Sequence, residues 1–127
     1  MAGLTALLLV SGCSQPSRAC TEIGASNGAH VTVEGLGASD ELREVFVEVC
    51  VAGTCGSQQL QTCCSDSVFI DLVTMRSTDP VELAVTLRTG DGSVLIDAPR
   101  IPATPRTVQP NGPGCEPTAY QAQVTVS

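Results

Sequence analysis

Apolar and polar residues alternate with a period of two along most of the chain after Ala29. In the segments 44–51, 81–88 and 121–126, valine, leucine or alanine occupies every second position and mostly polar residues stand between them. Successive side chains of a β-strand point to opposite faces, so this pattern predicts strands with one buried and one solvated face. The abundance of valine and threonine supports the same interpretation.

Turns rich in glycine, proline and aspartate divide the chain into about seven strands. We place the strands at residues 29–35, 43–51, 54–61, 67–73, 80–88, 93–101 and 118–126. Residues 89–92 (Thr-Gly-Asp-Gly) predict a tight hairpin, and residues 40–43 are the best candidate for a short helix. Five prolines between residues 98 and 113 predict an edge strand or an irregular crossover, since proline cannot donate to a central ladder. Short strands at this spacing predict an all-β, antiparallel β-sandwich.

Composition and charge limit the classes of partner. Of the 127 residues, 43% are hydrophobic and 15% charged, so the chain is apolar enough to fold around one core. The formal net charge of -7 disfavours binding to nucleic-acid phosphates and electrostatic attraction to anionic lipid. Aromatic residues make up only 2% of the chain, which argues against platforms that stack bases or sugars.

The amino-terminal residues have the pattern of a bacterial lipoprotein signal. Residues 2–10 are uncharged and mostly apolar, about as long as a secretory hydrophobic region and too short to span a bilayer. Residues 9–13 (Leu-Val-Ser-Gly-Cys) resemble a lipobox, in which an aliphatic residue and two small residues precede a cysteine. The resemblance implies cleavage after Gly12 and diacylation of Cys13. The usual basic region is missing, and a start upstream of Met1 would supply it.

These features divide the chain into a signal peptide at residues 1–12, a lipidated cysteine with a short tether at 13–19, and a β-sandwich domain at 20–127. The six residues between Cys13 and Cys20 reach about 20 Å when extended. Two acyl chains anchor a protein stably. We therefore expect the domain to be lipid-anchored on the extracytoplasmic face of the plasma membrane. Its expected partner is a membrane or cell-envelope protein. We expect no binding to nucleic acid.

The chain has seven cysteines, and an odd number leaves one of them without a partner for an intramolecular disulfide in an exported protein. Assigning Cys13 to lipid leaves six cysteines, enough for three disulfides in an oxidising compartment. If Ala52 and Gly53 form a two-residue hairpin turn, Cys50 faces Cys55 as a pair whose Cα atoms lie about 4.5 Å apart. Because that distance is within disulfide range, we predict a Cys50–Cys55 bond.

The other four cysteines leave three connectivities open, and the sequence does not choose among them. The expected partner of Cys20 is Cys115, in a bond that would close nearly the whole domain. Cys63 and Cys64 would then form a vicinal disulfide. Alternatively, each of these two adjacent cysteines bonds to one of Cys20 and Cys115.

Three cysteine-containing segments carry a family resemblance: residues 19–25 (ACTEIGA), 49–55 (VCVAGTC) and 109–115 (QPNGPGC). With the lipobox, they resemble small uncharacterised lipoproteins and secreted proteins of high-GC actinobacteria. The resemblance covers residues 20–126, and the Pro-Asn-Gly-Pro-Gly-Cys segment is its most distinctive part. It implies an immunoglobulin-like or transthyretin-like sandwich outside the plasma membrane. It implies no catalytic residues.

The candidates for chemistry are few. The sole histidine, His30, is expected at a strand edge, and residues 65–67 (Ser-Asp-Ser) are expected to form a turn. The aspartates are spread along loops and strand ends without a calcium-loop spacing, so we expect solvated carboxylates and no metal or cofactor: Asp66, Asp71, Asp91 and Asp97. Phe46, on the face opposite the valines of residues 45–51, either covers the core or the Cys50–Cys55 bond, or is an exposed contact for a partner.

The sequence therefore predicts a non-catalytic, membrane-proximal binding or structural module. The alternative function is soft-metal binding or thiol redox chemistry at Cys63 and Cys64, which requires free thiols at both positions.

Overall fold

The computed structural model describes residues 20–36 and 44–127. This part of the chain forms eight strands: β1 (Gly28–Val33), β2 (Val45–Val51), β3 (Thr54–Leu60), β4 (Ser67–Asp71), β5 (Val81–Thr89), β6 (Val94–Ala103), β7 (Arg106–Val108) and β8 (Ala119–Val126). Seven of them lie close to the predicted positions, and β7 has no counterpart in the sequence prediction. The predicted signal peptide and tether, including Cys13, and the short helix at residues 40–43 lie outside the described residues.

The strands form two sheets packed against each other, which confirms the predicted all-β sandwich. One sheet has the strand order β4-β1-β8-β7 and the other β3-β2-β5-β6. Neighbouring strands are antiparallel except for β1 and β8, which pair in parallel from Gly28 opposite Gln121 to Val33 opposite Val126. Parallel strands require a crossover connection, and here that connection contains all four strands of the other sheet together with β4 and β7.

The alternating apolar residues supply the core between the two sheets. In β2 and β5, six alternate side chains have no exposed surface, in agreement with the period-two pattern: Val45, Val47, Val49, Leu83, Val85 and Leu87. Val31 and Ile70 of the other sheet belong to the same buried cluster. Burial of aliphatic side chains, at about 25 cal/mol per Å² of apolar surface, is therefore the main force that holds the sheets together.

The proline-rich segment forms the strands at one side of the sandwich. Pro99 and Pro102 lie in β6, which is an edge strand, so their missing N–H groups interrupt no central ladder. After β6 the chain passes through the buried Pro105 and enters β7, the edge strand of the other sheet. This segment thereby moves the chain from one sheet to the other.

Candidate functional site

The first described residue, Cys20, is joined to the rest of the domain by a disulfide. Cys20 is bonded to Cys115, with the two Cα atoms 5.7 Å apart and 95 positions apart in sequence. Cys115 is buried and Cys20 is exposed. This disulfide therefore fixes the start of the domain, seven positions after the predicted lipidation site at Cys13, to the loop that precedes β8.

Asn111 holds the same amino-terminal segment by hydrogen bonds. Its Oδ1 accepts from the Thr21 hydroxyl and from the Ile23 N–H, each at 2.7 Å. Its Nδ2 donates to the Ile23 carbonyl at 2.9 Å and to the Glu116 carbonyl at 2.7 Å. The side chain is only 8% exposed, and all four bonds share its two polar atoms. Asn111 thus clamps residues 21–23 beside the Cys20–Cys115 bond.

The backbone around Asn111 explains the two glycines of the Pro-Asn-Gly-Pro-Gly-Cys segment. Gly112 and Gly114 have φ values of 103° and 78°, in the region that favours glycine. The Gly112 N–H donates to the Gln109 carbonyl and the Cys115 N–H donates to the Gly112 carbonyl, both at 3.0 Å. These turns present both the Asn111 amide and the Cys115 sulfur to the amino-terminal segment. The segment therefore serves as an attachment point.

Cys50 and Cys55 form a disulfide across the β2–β3 hairpin, in the register that the sequence predicts. The two residues are directly opposite each other, with Cα atoms 4.0 Å apart. The turn residues Ala52 and Gly53 have φ values of 48° and 83°, and positive values at both positions are those of a type I′ turn. Val51 pairs with Thr54 as expected.

Glu48 completes a cluster with this disulfide that the sequence analysis missed. It lies two residues before Cys50 on the same face of β2, and its Oε1 is 3.9 Å from Cys50 Sγ. The Glu48 carboxylate and the two sulfurs all lie within 4.8 Å of one another. The available signal was the spacing of two between Glu48 and Cys50, since alternate strand residues share a face.

Cys63 and Cys64 are bonded to each other in the turn that follows β3. Their Cα atoms are 3.8 Å apart and both side chains are exposed. The Cys64 and Ser65 N–H groups donate to the Gln61 carbonyl at 3.0 and 2.9 Å. Cys64 borders an open cleft of about 620 Å³, whose other side is formed by the residues that follow β1. Within the described chain, neither cysteine belongs to a group of three potential metal ligands.

The other polar candidates have structural partners. His30 Nε2 lies 3.1 Å from Gln121 Oε1, and its ring centroid is 4.8 Å from that of Phe69. The Ser65 hydroxyl donates to the Ser67 carbonyl at 3.0 Å, in the turn predicted for these residues. Asp91 Oδ1 accepts from the Thr89 hydroxyl and from the Ser93 N–H in the β5–β6 turn.

Phe46 is 38% exposed and lies outside the buried core. Its register partners are Gln59 on β3 and Arg88 on β5. Glu48 stands between Phe46 and Cys50 on the same face, so Phe46 is not the immediate neighbour of the disulfide. Of the two interpretations for Phe46, the structure favours an exposed position.

No family model, curated protein or solved structure matches this chain. The finer assignment to an immunoglobulin-like or transthyretin-like topology therefore stays a prediction. The three disulfides indicate an oxidising environment outside the cytoplasm. Among the described residues, no helix is long and apolar enough to cross a bilayer.

Proposed function

We propose that the protein is an exported, lipid-anchored and non-catalytic β-sandwich that acts as a binding or structural module beside the membrane. The pairing of the cysteines carries the proposal. All six cysteines of the described chain are joined in three disulfides. The seventh is Cys13, the residue at which the lipobox pattern places the lipid.

The attachment of residues 20–23 supports a position close to the membrane. The Cys20–Cys115 bond and the Asn111 clamp fix this segment to the domain, so only residues 14–19 lie between Cys13 and the point of attachment. That tether reaches about 20 Å when extended. A partner within this distance is a membrane protein or another protein of the cell envelope.

A binding or structural role fits the surroundings of the polar residues. His30 contacts Gln121 and Phe69, and Ser65 bonds within its own turn. A hydrolytic site requires a nucleophile and a base that contact each other, whereas the His30 ring and the Ser65 hydroxyl hydrogen-bond to Gln121 and to the Ser67 carbonyl. Three disulfides brace the sandwich, as is common for small exported domains.

The test is membrane fractionation of the exported full chain and of Cys13→Ala, with Ser14→Ala as the matched control. We expect the unaltered chain and Ser14→Ala to be processed and to sediment with membranes. Cys13→Ala is expected to keep its leader or to appear in the soluble fraction. A Cys13→Ala chain that is processed and membrane-bound to the same extent as the unaltered chain would contradict lipid attachment.

Thiol chemistry at Cys63 and Cys64 is the second candidate function. The observation that favours it is the exposure of this disulfide at the border of the 620 Å³ cleft. A thiolate reaches an exposed disulfide more readily than a buried one. Selective alkylation of Cys63 and Cys64 in protein taken from the cell envelope supports this function. Their complete oxidation there contradicts it.

A further inference from the structure

We propose that reduction of the Cys50–Cys55 disulfide creates a binding site for a divalent transition-metal ion such as Zn²⁺, with Glu48 as the third ligand. The site does not depend on the proposed function, because it uses only groups on the outer face of β2 and β3. The observation that carries it is the placement of one carboxylate and two sulfurs within 4.8 Å of one another.

The backbone keeps the three groups together without the S–S bond. Strand β2 pairs with β3 from Val45–Leu60 to Val51–Thr54, and with β5 on its other side. Reduction breaks none of these ladder hydrogen bonds. The alternate valines of β2 also remain in the core, which fixes Glu48 and Cys50 on the outer face. The hairpin thus preorganises the thiols as a chelating pair.

The dimensions suit a tetrahedral ion. Two Zn–S bonds of about 2.3 Å place the sulfurs about 3.8 Å apart, and a carboxylate oxygen binds at about 2.0–2.2 Å. Cysteine side chains on directly opposed residues, with Cα atoms 4.0 Å apart, reach this separation by rotation about χ1. Glu48 Oε1 already lies 3.9 Å from Cys50 Sγ. Only small movements of the Glu48, Cys50 and Cys55 side chains are therefore needed to bind the ion.

The surroundings favour a cation at this position. The register partners of Glu48 are Ser57 and Thr86, which are uncharged and therefore do not compete for its carboxylate. The chain carries a net charge of -7. Cys55 is exposed, while Glu48 and Cys50 are half-buried, so the fourth position of the ion opens to solvent and takes a water molecule. Mixed sulfur and oxygen ligands favour zinc over calcium or magnesium.

The chemistry has two steps. An external dithiol attacks the disulfide, and its two thiols become a disulfide while Cys50 and Cys55 each gain one hydrogen. The metal ion then binds both sulfurs, which release two protons, and the Glu48 carboxylate. A disulfide oxidant, which is itself reduced to two thiols, re-forms the Cys50–Cys55 bond and thereby expels the ion. The site is therefore open to metal only in the reduced state.

The experiment is Zn²⁺ competition against a chromophoric chelator, using the full chain with Cys13→Ser, Cys63→Ser and Cys64→Ser. A limited amount of a phosphine reductant opens Cys50–Cys55, and alkylation mapping verifies that Cys20–Cys115 stays bonded. We expect one equivalent of Zn²⁺ to bind after reduction and none before. Glu48→Gln, on the same background, is expected to weaken the affinity by at least about tenfold. Glu34→Gln is the control and leaves the affinity unchanged.

Three results would overturn the proposal: equal binding before and after reduction, full affinity in Glu48→Gln, or loss of the β-sheet circular dichroism when this disulfide alone is reduced. Glu48→Gln keeps the side-chain size on a solvent-facing position, so its result does not depend on refolding the hairpin. Replacement of Cys50 and Cys55 by serine should abolish the binding that follows reduction, and retained binding would be a fourth contrary result because it would place the ion elsewhere.

Discussion

Asn111 and Ile23 hydrogen-bond to each other in both directions, although 88 positions separate them in sequence. The Ile23 N–H donates to Asn111 Oδ1 at 2.7 Å, and Asn111 Nδ2 donates to the Ile23 carbonyl at 2.9 Å. An asparagine amide has both a donor and an acceptor, which is the combination that a backbone peptide group requires. One buried side chain thereby attaches the amino-terminal segment to the loop before β8.

Asn111→Ala should lower the free energy of unfolding by about 2–4 kcal/mol, because each lost bond contributes about 1 kcal/mol and backbone groups remain unpaired. Asn111→Asp should lower the free energy of unfolding by at least as much, since it removes both donated bonds and places a negative charge beside the Ile23 and Glu116 carbonyls. Denaturant unfolding with the disulfides intact measures both. The exposed Gln123→Ala should change stability by less than about 0.5 kcal/mol. Equal changes in the free energy of unfolding for Asn111→Ala and Gln123→Ala would contradict a stabilising role for the Asn111 hydrogen bonds.

The disulfides should contribute unequally to stability because they close loops of different length. Cys20 and Cys115 are 95 positions apart, whereas Cys50 and Cys55 are 5 apart. In the chain-entropy model, alanine at both members of the first pair lowers the free energy of unfolding by about 4–5 kcal/mol, and at the second by about 2 kcal/mol. Chemical denaturation of the two double variants tests this order. The reverse order would mean that native-state contacts of the hairpin bond outweigh loop closure.

Gly56 allows the edge strands of the two sheets to approach each other. A Cβ at this position would lie 2.5 Å from the Asp71 carbonyl oxygen and 2.9 Å from Ile70 Cγ2. Gly56→Ala must therefore separate β3 from β4, and we expect a loss of about 1–3 kcal/mol in the free energy of unfolding. At Gly24 an added Cβ meets nothing within 4 Å, so Gly24→Ala is the matched control. A similar stability for the two variants would argue against this close contact.

Ala52 occupies a backbone conformation that alanine disfavours. Its φ of 48° is left-handed, which costs an L-residue other than glycine or asparagine about 1–2 kcal/mol. Ala52→Asn should raise the free energy of unfolding by about 0.5–1 kcal/mol, since Asn-Gly is a preferred type I′ pair. Ala52→Val should lower it. Thermal unfolding of both variants measures the effect, and stabilisation by valine would rule out a left-handed turn.

Local patterns predicted the parts of the fold that local physics determines. The valines of residues 45–51 give β2 its buried face because strand side chains alternate, whatever the rest of the chain does. The Cys50–Cys55 register follows from a two-residue turn in the same way. The two-sheet sandwich followed from the number and spacing of such strands.

Features that depend on distant segments were not predictable. The parallel pairing of β1 with β8 joins opposite ends of the domain, and nothing within either strand indicates its direction. Strand β7 has three residues between prolines and carries no alternation. The role of Asn111 depends on Ile23, which its own neighbours do not reveal. The position of Glu48 beside Cys50 does follow from strand alternation, but two cysteines that form a disulfide give no sequence signal of a metal site.

The central claim is that Cys13 carries lipid while the other six cysteines are paired. The most direct test is the intact mass of protein extracted from the membrane fraction without reduction, with and without thiol alkylation. We expect a chain that begins at Cys13, carries a diacylglyceryl group, lacks six hydrogens because each of three disulfides removes two, and takes up no alkylating reagent. A chain with an intact leader and an alkylated Cys13 would contradict the account.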